Sequence, residues 1–472
     1  MVGAIFILLN SIALAMGFQW LALLPISFLI LIVAIFRIDI LILLLVFLVP
    51  LSIEFENVGI MGLGISLPDE PLLILLAATV VFKFIIDGNY DYSVFKHPIS
   101  IAILINTAWI FMDCFLSEHK IISFKYFFSR CWFIIVFYFL AVVLFKKIRN
   151  IHNFHWLYIA GLTIVIIYTF IQHSQYNFSQ IVSFTIMQPF FVGHGVYAAA
   201  IAFFIPYLLM QALYAHKLRI PASIMIISAA LFTLFSLAIV FSYARAAWVS
   251  LAAAAALMIL FTLRVRFFLI IAVFSAVSFY VVSNSDDIIY RLSFNKQNSA
   301  EGLEKHLESV SNIQNDVSNL ERVNRWVAAI NMSKVKPITG FGPGTYPFDY
   351  AVYQDPQYKT EITTYFGDNG GVHSEYLAPL AETGWIGLLS FLLILFFVYK
   401  TGFQLIYKSK KYSVQILATS ILLGLSTYLT HGLVNNYSET DKIAVIFWGS
   451  FAMITALDMF HKEESLIKNE QL

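Results

Sequence analysis

Residues 222–261 read ASIMIISAALFTLFSLAIVFSYARAAWVSLAAAAALMILF. Two apolar runs flank one charged side chain, Arg245. A bilayer core is about 30 Å thick, so a spanning helix takes about 20 apolar residues. The stretch therefore predicts two spans, near 220–241 and 244–263, joined at Ser-Tyr-Ala-Arg. The same pattern recurs near 3–17, 19–36, 38–52, 70–87, 98–116, 126–146, 154–173, 194–213, 266–283, 377–400, 413–432 and 442–460. That predicts an all-α polytopic membrane protein of about 12–14 transmembrane helices. Residues 1–10 (MVGAIFILLN) carry no basic n-region, so the first helix is expected to stay as an anchor.

Composition agrees. Of 472 residues, 60% are hydrophobic and 12% charged, with mean hydropathy +0.80. Soluble domains have about 25% charged residues, and outer-membrane strands alternate apolar and polar positions. Both classes are excluded. The net charge of +1 gives no basic excess for nucleic acid. Cys114 and Cys131 form neither a disulfide framework nor a metal motif.

Basic residues in short loops mark the cytoplasmic side. With the N-terminus inside, that side receives Arg37, Lys83, Lys96, Lys146, Lys147, Arg149, Lys217, Arg219, Arg264, Arg266, Lys400, Lys408, Lys410 and Lys411. The outer short loops hold Lys120, Lys125, Arg245 and Lys442. The expected organisation is an N-terminal bundle over 1–283, an outer loop domain over 284–376, a C-terminal bundle over 377–460 and a cytoplasmic tail over 461–472. The loop is expected to contain a helix over 300–333, then the Gly/Pro turn GFGPGTYPF at 340–348. Loops of this length are functional or disordered, and the aromatic and turn content here favours order.

Candidate chemistry collects at the outer face. Arg245 lies at a span junction, where an ionisable group is a functional candidate by default; a snorkelling arginine with Trp248 as a belt aromatic is the alternative. Arg322, Arg325 and Trp326 share one face of the loop helix. Guanidinium groups bind phosphate bidentately, so this face suits a diphosphate; a solvated face paired with Glu321 is the alternative. The glycines at 340, 342 and 344 lack P-loop spacing and are read as a tight re-entry turn. His373 opens the span after the loop and is a candidate general base, with Glu375 or Glu382 to orient it. His194, Arg130, Asp69, Glu70, His431, Asn435, Asn436 and Tyr437 are further polar residues at outer span ends, each also explicable as an interhelical hydrogen bond. No Asp-x-Asp or His-Glu-x-x-His motif offers a metal site, and no cofactor is expected.

The order of these features resembles the O-antigen ligase and polymerase superfamily of bacterial envelope glycosyltransferases. The resemblance covers about 242–390. It runs through Ser242, Arg245 and Trp248, then Arg322 and Trp326, then Pro337, Gly340, Gly342, Gly344 and Phe348. It ends on His373, Tyr376, Leu377, Ala381, Glu382, Gly384 and Gly387. Ala246 and Ser374 stand where the family often has Gly and Asn. The resemblance implies an undecaprenyl-diphosphate-linked glycan donor, membrane lipids around the chain, no required metal, and a periplasmic active site in the bacterial inner membrane. It also implies that Arg245, Arg322 and His373 occupy the functional positions, with Arg325, Glu375, Arg130 and His194 as further candidates. Two acceptors fit: a lipid A–core sugar, as for a ligase, or a lipid-linked repeat unit, as for a polymerase. A transporter would show inverted repeats and broken midplane helices, and no repeat is visible here.

The chemistry expected of such a site is self-consistent. Cleaving the sugar–diphosphate bond builds negative charge that preorganised arginines stabilise. His373 would take the proton of the incoming hydroxyl, and a single displacement would invert the anomeric centre.

Overall fold

The computed structural model of the chain describes residues 11, 24–55, 65–88, 90–284, 317–359, 363 and 370–462. The expected span at 3–17, the first part of the loop helix (300–316) and the end of the tail lie outside the described residues, apart from Ser11.

Every expected span from residue 24 onward is a helix. In order these are α1 Leu24–Phe36, α2 Ile38–Leu48, α3 Asp69–Asp87, α4 Pro98–Leu116 and α5 Lys120–Leu144. They continue with α6 Ile148–Ser174, α7 His194–Leu213, α8 Ala222–Ser242, α9 Arg245–Thr262 and α10 Phe267–Ser283. The loop helix is α11 Val317–Val335, followed by α12 Leu377–Lys408, α13 Tyr412–His431 and α14 Asp441–His461. Among the described residues, nine of these are long and apolar enough to cross a membrane. The protein is therefore an all-α polytopic membrane protein. One small exception is an antiparallel hairpin, with β1 Ile53–Phe55 paired to β2 Ile65–Leu67.

Several helices outrun the apolar stretches that predict them. Helix α5 begins at Lys120 rather than 126, α6 at Ile148 rather than 154, and α12 continues to Lys408 rather than 400. In each case polar residues extend the helix past the hydrocarbon-length core, because backbone hydrogen bonding continues where the membrane ends. Inside α5, Ile134–Leu140 is π-helical.

Burial ranks the helices. In α13 and α14, 83% of the apolar stretch is buried, against 22% in α8 and α9. The first pair forms the centre and the second pair faces lipid. Helix α7 packs on both α8 and α13, α9 packs on α13, and α12 packs on α4. One continuous apolar core runs through the bundle. A separate small core, with Ala328, Ala329, Met332, Phe341, Tyr346, Tyr350, Val372 and Ala381, joins the loop to the start of α12.

That second core depends on backbone meeting backbone. Helix α12 is kinked at Gly384 (φ 69°, ψ −170°). A Cβ there would stand 2.1 Å from the Ile338 carbonyl oxygen. Reciprocally, Gly340 (φ +68°) brings the loop so close that a Cβ would stand 2.4 Å from the Glu382 carbonyl. Glycine alone tolerates both the positive φ and the approach. The Trp385 N–H donates to Pro337 O at 2.9 Å, and the Gly342 N–H to Glu382 O at 2.8 Å. The Glu382 carboxylate accepts from Gly344 N at 3.0 Å and Tyr346 N at 3.2 Å. The expected re-entry turn is thus a docking turn.

Glu382→Ala leaves one part-buried and one buried N–H donor without their carboxylate partner, at a cost of about 2–4 kcal/mol. The thermal midpoint in detergent should fall, and Glu382→Gln, which keeps one acceptor oxygen, should fall less. An alanine variant with the wild-type midpoint would contradict this role.

Candidate functional site

The C-terminal end of α8 folds into the start of α9 through a tight junction. Tyr243 takes a left-handed conformation (φ 53°) and its hydroxyl donates to Phe178 O at 3.0 Å. Ser242 Oγ donates to Ile239 O at 2.7 Å and accepts from Ala244 N at 3.3 Å. Trp248 Nε1 closes the junction by donating to Ile239 O at 3.2 Å. Arg245, half-buried, is therefore the first helical residue of α9.

Helix α11 lies over the start of α12, and its residues grip the segment leading to His373. Arg325 is buried, donates to Glu321 Oε1 at 2.9 Å and Gly371 O at 3.0 Å, and lies over the Tyr350 ring. It is held inside the loop domain. Trp326 Nε1 donates to His373 O at 3.1 Å. On the opposite side, the His373 N–H donates to Asn436 Oδ1 at 3.1 Å and the Glu375 N–H to Gly432 O at 2.8 Å. Held this way, His373 has φ +56°. A non-glycine residue there stores about 1 kcal/mol of strain, which persists only where surroundings over-determine it.

Neither carboxylate considered as an orienter touches His373. Glu375 binds the Tyr428 hydroxyl, Tyr437 N at 2.7 Å, Ser438 N at 2.8 Å and Ser438 Oγ at 2.7 Å. Burial raises its pKa, and those donors oppose the rise. Glu382 is occupied by the glycine turn. The imidazole instead hydrogen-bonds Asn435, whose Oδ1 also accepts from the Tyr437 hydroxyl at 3.0 Å. Burial pushes the Tyr437 phenol up to about 12, against the opposing charge of Arg322, so it remains a donor at neutral pH.

Arg130 serves the same connection from below. It pairs with Glu439 at 2.6 Å, donates to Asn106 Oδ1 at 3.0 Å and lies over the Trp448 ring. Glu375 and Arg130 thus pin residues 432–440 to the bundle from two directions.

Electrostatics tie the remaining candidates together. The charge of Arg322 acts on His194, His373, His431 and Tyr437. The charge of Arg245 acts on His194. Arg245 and Arg322 are separated by 322 − 245 = 77 positions, yet both fields reach one imidazole. Burial pushes His373 down to about 4, helped by the charges of Arg322 and Arg325 and opposed by the Asn435 hydrogen bond. The ring is therefore neutral at pH 7, with a lone pair to accept a proton. Among the described residues, no group of three His, Cys, Asp or Glu side chains is placed to hold a metal ion.

Asn435, Asn436 and Tyr437 had only one signal in the sequence, a polar run between two spans. The function of Trp326 as a backbone clamp had none beyond its place on the Arg322 face.

No curated protein matches the chain. Residues 229–392 match the profile of the O-antigen ligase family. That segment runs from α8 into α12 and carries Arg245, Arg322 and His373, and over it the chain is similar to the O-antigen ligase family.

Proposed function

We propose that this ligase-like membrane enzyme transfers a glycan from undecaprenyl diphosphate to a sugar hydroxyl of lipid A–core, at the periplasmic face of a bacterial inner membrane. The observation that carries the proposal is that the charges of Arg245 and Arg322 meet at His194, whose helix start touches the Tyr437–Asn435 pair that holds a neutral His373, on which Arg322 also acts. The outward orientation rests on the lysine and arginine asymmetry of the short loops.

In this mechanism Arg245 and Arg322 hold the diphosphate and stabilise the charge that develops as the glycosidic bond breaks. His373 takes the proton of the acceptor hydroxyl as its oxygen attacks the anomeric carbon. The glycan moves in one displacement, with inversion, and the lipid diphosphate leaves. A bound diphosphate also offsets the arginine charges that hold down the basicity of His373. The base therefore strengthens when the donor arrives. Asn435 accepts the other imidazole N–H and keeps the reacting nitrogen free of a proton.

A polymerase would use the same donor and the same groups with a lipid-linked repeat unit as acceptor. The envelope glycans of a deletion strain separate the two. A ligase deletion loses long glycan on lipid A–core while lipid-linked polymer accumulates. A polymerase deletion collapses the glycan ladder to one repeat.

His373→Ala should lower transfer in a membrane assay by at least about 100-fold, and His373→Gln should fail equally, because glutamine keeps a hydrogen bond but takes no proton. Full activity in either variant would remove His373 from the mechanism.

Lysine at 245 or 322 should lower kcat by about 100-fold, since an ammonium lacks the planar fork of guanidinium. With the arginines supplying the positive charge, wild-type transfer should survive EDTA. Activity lost to chelation and restored by Mg²⁺ or Mn²⁺ would reassign the phosphate chemistry to a metal.

The pH profile follows from the depressed basicity of His373. A lowered pKa keeps the ring neutral to lower pH, so kcat/KM should hold down to about pH 5 and fall as protonation proceeds toward about 4. An acid limb centred near the ordinary histidine value of about 6.5 would contradict this.

A further inference from the structure

Helix α7 starts at the outer face with Gly193-His194-Gly195 and runs 20 residues to Leu213. Its cap residue, Gly193, is extended (φ −162°, ψ 165°) and brings no side chain to the first-turn N–H groups. A helix start presents N–H donors without intrahelical partners and a partial positive charge, which together suit a phosphate.

Three further observations point to a ligand at this helix start. Both charges acting on His194 are arginines, Arg322 and Arg245. A Cβ on Gly195 would stand 2.4 Å from the Tyr437 hydroxyl, and that hydroxyl donates to the Asn435 side chain that holds His373. The helix start is therefore a neighbour of the proposed base. Finally, His431 is 1% exposed and its Nδ1 has no hydrogen-bond partner among the described residues. Its ring lies edge-on to Tyr437 at 5.8 Å, and His194 and Arg322 both act on it electrostatically. A buried ring nitrogen without a partner is costly, and a bound phosphate with its hydration would supply one.

We propose that the amino end of α7, with His194, His431, Arg245 and Arg322, seats one phosphate of a lipid-linked diphosphate, leaving the His373 side of the site to the acceptor. The assignment rests on the diphosphate-donor reading above and extends it to a named subsite. The first-turn N–H groups and the His194 imidazole donate to non-bridging oxygens, and the two arginines balance their charge.

The test is equilibrium binding to the purified full chain in detergent, with undecaprenyl diphosphate, undecaprenyl monophosphate and inorganic pyrophosphate as separate probes. The wild type should bind undecaprenyl diphosphate, pyrophosphate should compete for it, and the monophosphate should bind more weakly. His194→Ala should weaken diphosphate binding by about tenfold or more, whereas His194→Gln, which keeps a neutral N–H donor, should stay within about threefold. A second measurement needs no variant. Carbethoxylation of His194 in the wild type, followed by mass spectrometry, should slow when undecaprenyl diphosphate is bound.

Unchanged affinity in a folded His194→Ala variant, or unchanged modification of His194 under saturating diphosphate, overturns the subsite while leaving the donor reading intact. A wild type that binds neither diphosphate probe overturns the donor reading and the subsite with it. Binding of pyrophosphate without binding of the lipid overturns the lipid-linked occupant.

Discussion

The loop between α10 and α12 is held down where it crosses the kink of α12, and the candidate site is built on that contact. A polar segment beside a membrane bundle has little apolar area with which to anchor itself. Here the anchoring is done by backbone. Gly340 and Gly384 remove the side chains that would separate the two chains, and the Glu382 carboxylate gathers the N–H groups of Gly344 and Tyr346. Once the turn is fixed, α11 has one place to lie, over the start of α12. Its Arg325 and Trp326 then clamp Gly371 and His373. The geometry of the imidazole is thus set by contacts from three separate stretches of chain.

The charge distribution divides into two parts with different work. Arg130 and Arg325 are buried against carboxylates, Glu439 and Glu321, and hold structure together. Their pairing keeps two buried guanidiniums from carrying uncompensated charge. The charges of Arg245 and Arg322 act on imidazoles. Positive charge beside neutral rings is an arrangement that favours an incoming anion over a proton or a cation. It fits a substrate whose reactive end is a diphosphate on a lipid, presented at the membrane face.

Much of this was legible in the sequence. Apolar runs predict each membrane span from residue 24 onward, because hydrocarbon thickness leaves little freedom in where a span falls. The helix ends were less legible, since polar residues at Lys120, Arg149 and Lys408 continue helices beyond the apolar run. The motif residues Arg245, Arg322 and His373 stood out by residue type and order. Their partners did not. Glu375 and Glu382 were natural orienters by proximity in sequence, but each lies turned toward backbone N–H groups that only the folded chain brings close. Asn435 and Asn436 reach His373 across more than sixty positions, a pairing that no local pattern encodes. The kink at Gly384 was equally hidden, because an apolar span with one glycine reads as a straight helix.

In the proposed mechanism the loop and the bundle build one diphosphate site, with Arg322 from the first, Arg245 from the second and His373 at their junction. An experimental structure of the full chain with undecaprenyl diphosphate bound tests it most directly. The diphosphate should lie at the end of the bundle that carries the loop, its oxygens contacting both guanidiniums, with the His373 ring beside the anomeric end. A structure with Arg245 and Arg322 on opposite sides of the bilayer, or with the diphosphate bound away from His373, would contradict it.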